Sequence, residues 1–224
     1  LFRSAHGHVN PLDQMSGVYR TGGINWTSGD RAIFLKDGKT ATIGVAQTED
    51  GMRTILTNGK PDASLVANLA LRPTGDEPTM ATAGVLAVTL AHDPKDIAVI
   101  GWGSGLTVHT ILGSKVPKRV EAIEIEPVMF EAARQFGDRV GRAYRDPRMV
   151  PVFEDARSHF ARGGQRYDAI VSEPSNPWVS GVSSLFTEQF YRFLDQHLAD
   201  SKLPAHQLVQ LDALGHQIAP CLFG

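Results

Sequence analysis

The sequence predicts an α/β protein in which a mostly parallel sheet carries helices on both faces and follows a small antiparallel β-domain. Apolar, strand-like runs alternate with helix-like segments from residue 96 onward, as expected for parallel strands joined by crossover helices. Between residues 31 and 64, short strand-like runs are separated by Asp-Gly and Asn-Gly turns, which favour hairpins. The 42% hydrophobic and 21% charged content is ordinary for a globular protein.

Composition also excludes several classes of function. A net charge of −2 gives no electrostatic reason to expect a nucleic-acid binder, which would need a basic face, and no apolar run approaches the 18 residues of a membrane span. One cysteine, Cys221, and eight scattered histidines provide no metal-binding pattern. We therefore expect a cytoplasmic protein without a metal. Because the first residue is Leu1, we also expect a fragment or a processed piece.

The chain divides into an irregular lead-in (residues 1–17), a β-domain with three short strands (18–64) and a nucleoside-binding catalytic domain (65–224). The strands expected in the last domain are 97–100, 119–125, 149–153, 167–171 and 207–211, and the helices are 79–91, 106–112, 127–136, 156–161 and 184–198. A complete sheet of this class has two further antiparallel strands, and little sequence remains for them. We expect a short sheet with an exposed edge that a second copy or missing sequence would cover.

A glycine-rich turn follows the first parallel strand. It reads Gly101-Trp102-Gly103-Ser104-Gly105 and opens a helix. Glycines allow a tight turn and let backbone N–H groups approach a ligand. A dinucleotide fingerprint requires glycine at the position of Leu106, so the turn favours a nucleoside without a pyrophosphate. An ordinary strand-to-helix turn is the alternative.

Carboxylates follow the next two strands. Glu124 lies 23 positions after Gly101, where an acidic residue of such folds holds a ribose diol. Glu126 precedes Pro127, and we interpret it as a charge in the first turn of a helix. Asp155 could accept a hydrogen bond from an adenine amino group, cap the following helix, or do both.

The fourth strand ends in Ser172-Glu173-Pro174-Ser175-Asn176-Pro177-Trp178. Glu173 could orient an amine, accept its proton or attract a cation. Asn176 can orient a hydrogen-bond donor. Trp178 could cover the pocket, stack on a cation, or simply pack.

Together these strand ends resemble the spermidine synthase family, the aminopropyltransferases on the Rossmann-like class I methyltransferase fold. The resemblance spans about residues 30–200. It rests on Asn58-Gly59-Lys60-Pro61-Asp62-Ala63-Ser64, residues 96–105, Glu124-Ile125-Glu126-Pro127, Glu154-Asp155-Ala156, residues 167–173, and Ser184-Leu185-Phe186-Thr187-Glu188-Gln189-Phe190-Tyr191. Within the family the chain resembles bacterial domains fused behind a transporter-like membrane region, which makes such a region of a longer parent chain a candidate partner.

The resemblance implies decarboxylated S-adenosylmethionine as the aminopropyl donor and a small amine such as putrescine as the acceptor. The residues implied to contact the donor are Gly101, Gly103, Ser104, Gly105, Glu124, Asp155 and Ala156. Glu173 matches the catalytic aspartate that takes the proton of the attacking amine. Asn176 and Trp178 are expected on the acceptor side.

Several positions depart from the family pattern. Ser104 replaces an aspartate that would bind the donor's amine, and Asn176 stands where a second acidic residue receives the polyamine. Glu173 is one methylene longer than aspartate. Met80-Ala81-Thr82 lies near the position of a Tyr-His-Glu run. These changes predict weaker binding of a dicationic amine.

Two alternatives stay open at this stage. One is a methyltransferase that uses S-adenosylmethionine on the same fold, because Ser104 no longer favours the decarboxylated donor. The other is a domain without catalytic activity that binds a nucleoside or polyamine as a sensor, or packs against a membrane partner. A fold alone does not choose among these functions.

Overall fold

The structure is a computed structural model that describes residues 10–17, 22–24, 26–173 and 182–199, together with the backbone of 208–210. The predicted acceptor-side residues Asn176 and Trp178 lie outside these ranges. Within the lead-in that the sequence predicts to be irregular, Pro11–Gln14 forms a single helical turn, α1, capped by the Asn10 side chain. The boundary between the β-domain and the catalytic domain after residue 64 stays a prediction.

The N-terminal part forms an antiparallel sheet of four strands in the order β1-β2-β3-β4. The strands are β1 (Arg31–Asp37), β2 (Thr42–Gln47), β3 (Met52–Thr57) and β4 (Lys60–Val66). The predicted turn at Asn58 and Gly59 joins β3 to β4, with both residues at positive φ as a two-residue hairpin requires. Strand β4 is not among the three predicted strands, because Pro61 cannot donate to a ladder and charged residues obscure the alternation of apolar side chains. The ladder accommodates Pro61 next to a register shift after Ile55.

The second sheet has five strands, all parallel, in the order β7-β6-β5-β8-β9. These are β5 (Asp96–Ile100), β6 (Arg119–Glu124), β7 (Met149–Phe153), β8 (Ala169–Ser172) and β9 (Leu208–Gln210). The five predicted strands are thus confirmed, each to within about two residues. The missing edge strands stay a prediction, because residues 211–224 lie outside the described part of the chain.

The helices differ from the prediction at their ends and by one additional helix at Gly141–Arg145. They are α2 (Asp76–Thr89), α3 (Leu106–Ile111), α4 (Pro127–Ala132), α5 (Gly141–Arg145), α6 (Ala156–Ala161) and α7 (Glu188–Asp195), with 3-10 segments at Ala133–Val140 and Ser183–Phe186. Helix α2 begins three residues earlier than predicted because Pro78 fits in a first turn. The predicted long helix 184–198 is broken at Thr187, which is extended and caps the Phe190 N–H.

The two sheets share one apolar core and are joined by polar contacts. The Arg139 guanidinium donates to the Val66 carbonyl at 2.8 Å and pairs with Glu77. The Glu126 carboxylate caps α4 and also accepts the backbone N–H and hydroxyl of Thr40, at 2.7 and 2.8 Å. This confirms the predicted helix-terminus role of Glu126 and adds a contact to the β1–β2 turn. These contacts join the end of β4 and the β1–β2 turn to the helical segments that follow β6.

In the part of the chain that the structure describes, no helix combines the length and apolar character needed to cross a bilayer.

Candidate active site

The candidate site lies where the strand order reverses. From β5 the chain winds outward through β6 and β7, and then returns to the other side of β5 with β8. Ligands of open α/β sheets bind beyond the carboxyl ends of the strands at such a point. The glycine turn after β5 and Glu173 after β8 lie on its two sides, as the sequence analysis predicts.

The glycine turn needs its three glycines for their backbone conformation. Gly101, Gly103 and Gly105 have φ values of 92°, 50° and 82°, a region that other residues adopt only with strain. Gly103 also faces strand β4, since a Cβ added there would lie 3.9 Å from the Ala63 Cβ. The turn is therefore a fixed loop beneath β4. Contact between these glycines and a donor stays a prediction.

Glu124 connects the end of β6 to the glycine turn. One carboxylate oxygen accepts the Trp102 backbone N–H and the other accepts the Glu126 backbone N–H, both at 2.9 Å. Burial raises the pKa of Glu124 to about 7, against the lowering effect of these hydrogen bonds, and the charge of Asp62 raises it further. Each oxygen keeps a lone pair, so the carboxylate can still accept a ribose hydroxyl, and that role stays a prediction.

Trp102 supports the turn from below, a role that the sequence analysis did not identify. Its ring is buried, 4.6 Å from the Phe130 ring, and its indole N–H donates to the Tyr144 hydroxyl at 3.3 Å. A Cβ added at Gly105 would lie 3.0 Å from the indole. The signal in the sequence was a large aromatic residue between the glycines of a tight turn.

Ser104 is completely buried and faces helix α2. Its hydroxyl lies 3.1 Å from the Met80 sulfur and accepts the Leu106 backbone N–H at 3.3 Å. A neutral hydroxyl beside a thioether therefore lies behind the glycine turn at this position. Its assignment to the donor stays a prediction.

The end of β7 combines a helix cap with an apolar surface. Asp155 accepts the Ser158 backbone N–H at 2.9 Å and its hydroxyl at 3.0 Å, so the predicted capping role is confirmed. Ala156 begins α6 and is buried. Ile125 and Phe153 are 50% and 47% exposed, although large apolar side chains at strand ends usually pack. Ile125 follows Glu124 in the chain and Phe153 lies opposite Glu124 in the β6–β7 register, so these two exposed side chains, which were not singled out from the sequence, are neighbours of the carboxylate expected to hold the ribose.

Glu173 follows β8 directly, and its backbone N–H donates to the Ile100 carbonyl at 3.0 Å. Its carboxylate accepts a hydrogen bond from the Thr107 hydroxyl at 2.6 Å. Burial raises the pKa of Glu173 to about 7, and the Thr107 hydroxyl acts in the opposite direction. Thr107 is in the first turn of α3, which begins directly after the glycine turn. Its hydrogen bond therefore places the Glu173 carboxyl, with its pKa of about 7, beside that turn.

Among the residues that the structure describes, there is no cluster of three or more His, Cys, Asp or Glu side chains that could hold a metal ion. The cleft instead combines glycine backbone, carboxylates and an apolar surface. This arrangement can bind a nucleoside and accept a proton.

Comparisons with known proteins identify relatives of the chain. A polyamine aminopropyltransferase 2 of Pseudomonas aeruginosa is 30% identical over 207 residues, covering 88% of this chain and 52% of the relative. A polyamine aminopropyltransferase of Thermococcus onnurineus is 28% identical over 117 residues, covering 52% of this chain and 41% of the relative. The chain spans about half the length, or less, of these curated relatives.

Solved structures confirm the predicted Rossmann-like methyltransferase fold. A spermidine synthase in complex with the transition state analogue AdoDATO has a TM-score of 0.65 at 20% identity, covering 75% of this chain and 55% of the other. Spermidine synthase from Thermotoga maritima has a TM-score of 0.64 at 19% identity, covering 76% and 54%. The fused membrane region stays a prediction. The family model of the spermine/spermidine synthase domain matches residues 81–207, more than half of the sequence, and the chain belongs to that family.

Proposed function

We propose that the protein transfers an aminopropyl group from decarboxylated S-adenosylmethionine to a small amine such as putrescine. The observation that carries the proposal is the Glu173 carboxyl, which has a pKa of about 7 and lies beside the glycine turn at the switch point of the sheet. A base for a cationic amine is required there, and a pKa near the working pH suits that role. Family membership and relatives named as polyamine aminopropyltransferases support the same reaction.

The donor side of the cleft fits the nucleoside part of this substrate. Glu124 retains acceptor capacity for a ribose hydroxyl, and Asp155 can accept from an exocyclic amino group while it caps α6. The exposed side chains of Ile125 and Phe153 offer an apolar surface for the base. These are the expected contacts of the donor.

The chemistry is one displacement at carbon. The amine nitrogen attacks the CH₂ group next to the sulfonium, the C–S bond breaks, and its electron pair returns to sulfur, so that neutral methylthioadenosine leaves. The amine must lose a proton for its lone pair to attack, and Glu173 accepts that proton. The remaining rate enhancement comes from in-line positioning and from exclusion of water.

The acceptor side should favour amines with little additional positive charge. On the acceptor side the sequence has Asn176 in place of a second acidic residue, and Ser104, expected beside the donor's amine, supplies a neutral hydroxyl next to the Met80 thioether in place of the aspartate. Without those carboxylates, the second ammonium group of a diamine gains little attraction. We expect a higher KM for putrescine than a cleft with those carboxylates would give.

The test is a mass-spectrometric transfer assay. The purified protein is incubated with decarboxylated or ordinary S-adenosylmethionine and a pool of mono-, di- and triamines, and methylthioadenosine binding is measured by calorimetry. An aminopropylated amine formed only with the decarboxylated donor, and lost in Glu173→Gln but not in the control Glu188→Gln, supports the proposal. Glu188 is exposed and paired with Arg192. A methylated product overturns the proposal, and so does nucleoside binding without any transfer.

A further inference from the structure

The Thr107 hydroxyl lies between two acceptors. It is 2.6 Å from the Glu173 carboxylate and 3.1 Å from the Met80 carbonyl of helix α2. Building on the proposed function, we propose that Thr107 is a positioning residue that holds the Glu173 carboxyl in one orientation, both when it is ionised and after it has taken the proton of the amine.

A hydroxyl can exchange its role because it both donates and accepts. When Glu173 is ionised, the Thr107 hydroxyl donates to the carboxylate, and 2.6 Å is the usual length of an O–H···O⁻ hydrogen bond. When Glu173 is protonated, its O–H donates to Thr107, and the Thr107 proton turns to the Met80 carbonyl. One contact therefore serves both protonation states without movement of the carboxyl. Thr107 is only 3% exposed, so water does not easily replace it.

The position of Thr107 is set by close packing of α2 against α3. A Cβ added at Gly84 would lie 2.8 Å from the Thr107 carbonyl oxygen, so only glycine at that position of α2 lets the helices approach so closely. The same approach brings the Met80 carbonyl to the Thr107 hydroxyl. In addition, β-branching restricts the Thr107 side chain at χ1. The hydroxyl is therefore held in place before any substrate binds.

No charge within the described part of the chain competes for the Glu173 carboxyl. Among the described residues, burial raises its pKa and the Thr107 hydroxyl lowers it. Titratable groups on the surrounding elements are bonded elsewhere: Asp76 to Ser64, Glu77 to Arg139, His109 to Arg142, Asp62 to Lys60, and Glu124 to Trp102. Removal of the Thr107 hydroxyl should therefore change the pKa of Glu173 without a compensating change from a charged neighbour in the described part of the chain.

The experiment compares Thr107→Val, which keeps the shape, with Thr107→Ser, which keeps the hydroxyl. Infrared difference spectra against pH report protonation of the Glu173 carboxyl, whose band is identified by its absence in Glu173→Gln. We expect Thr107→Val to raise the midpoint pH of Glu173 protonation by about one pH unit. It should also lower kcat about tenfold, because a hydrogen bond to a charged group is lost. The acidic limb of the kcat profile moves to higher pH by the same amount, and Thr107→Ser restores most of both values.

Thr110→Val is the matched control, because Thr110 lies in the same helix and its hydroxyl donates to the Leu106 carbonyl, at 2.9 Å, and not to Glu173. It should leave the midpoint and kcat unchanged. An unchanged midpoint in a folded Thr107→Val protein overturns the inference, and so does a Thr107→Ser protein that behaves like Thr107→Val. Since the titration needs no turnover, a wild-type protein without transferase activity overturns only the proposed function.

Discussion

The Glu124 carboxylate accepts the backbone N–H of Trp102 at 2.9 Å, while its other oxygen accepts the N–H of Glu126 at the same distance. One side chain therefore links the end of β6, the glycine turn and the start of α4. The carboxylate expected to hold the ribose also holds the loop that lies beneath the donor. Binding of a nucleoside and order of the loop should thus depend on the same residue.

Glu124→Gln should weaken nucleoside binding. A glutamine carries one acceptor oxygen and one NH₂ group, so it can serve only one of the two backbone N–H donors and directs its own donors at the other. We expect methylthioadenosine to bind at least about tenfold more weakly, which corresponds to loss of one hydrogen bond to a charged acceptor. Calorimetry at pH 8, where Glu124 is ionised, measures this. Glu131→Gln, on an exposed surface next to Lys36, is the control, and equal affinities of Glu124→Gln and wild type would contradict the prediction.

Glu173→Gln should stabilise the protein at alkaline pH while it removes activity. Burial raises the pKa of Glu173 from an ordinary 4.5 to about 7 in the folded chain. Between these values the folded state binds more protons than the unfolded state, so the stability contributed by Glu173 is complete below about pH 4.5 and is lost as pH rises through 7. Glutamine carries no charge, still accepts the Thr107 hydroxyl, and avoids that loss.

We therefore expect Glu173→Gln to match the wild type near pH 4.5 and to exceed its free energy of unfolding by on the order of 3 kcal/mol above pH 8. Urea denaturation at several pH values measures the difference between the two proteins. Subtraction cancels the similar contribution of Glu124, whose pKa is also raised to about 7. A difference that does not change with pH would show that Glu173 is ordinarily solvated.

Trp102→Ala should destabilise the fold and loosen the glycine turn. The indole fills the space between Phe130, Tyr144 and the Gly105 backbone, and truncation of a buried tryptophan costs about 3–5 kcal/mol. Trp102→Phe keeps most of the volume and loses only the indole N–H to Tyr144, so it should cost much less. Guanidinium denaturation gives both values. A Trp102→Ala protein as stable as Trp102→Phe would mean that the indole is not a support.

The parts of this molecule that could be predicted from the sequence are those that depend on local pattern. The strands, the glycine turn and the carboxylates at strand ends follow from spacing along the chain. Trp102 and Thr107 were missed because their partners, Tyr144 and Glu173, are 42 and 66 positions away. Strand β4 was missed for a similar reason, since Lys60 and Asp62 obscure its pattern and are accommodated in the fold as a buried ion pair.

Gly84→Ala is expected to reduce both stability and activity, although alanine alone favours a helix by up to about 1 kcal/mol. The added Cβ would meet the Thr107 carbonyl oxygen and the Thr110 Cβ, both at 2.8 Å. Backbone cannot move aside as a flexible side chain can, so α2 and α3 must separate. We expect a net cost of about 1–3 kcal/mol, measured by denaturation. Separation also lengthens the hydrogen bond from the Thr107 hydroxyl to the Met80 carbonyl of α2, which helps to fix Thr107 beside Glu173, so kcat should fall while methylthioadenosine affinity changes little. Thr82→Ala, at an exposed position of α2, tests a change on the same helix without this contact. A Gly84→Ala protein more stable than the wild type, as helix propensity alone predicts, would mean that the two helices can separate at no cost.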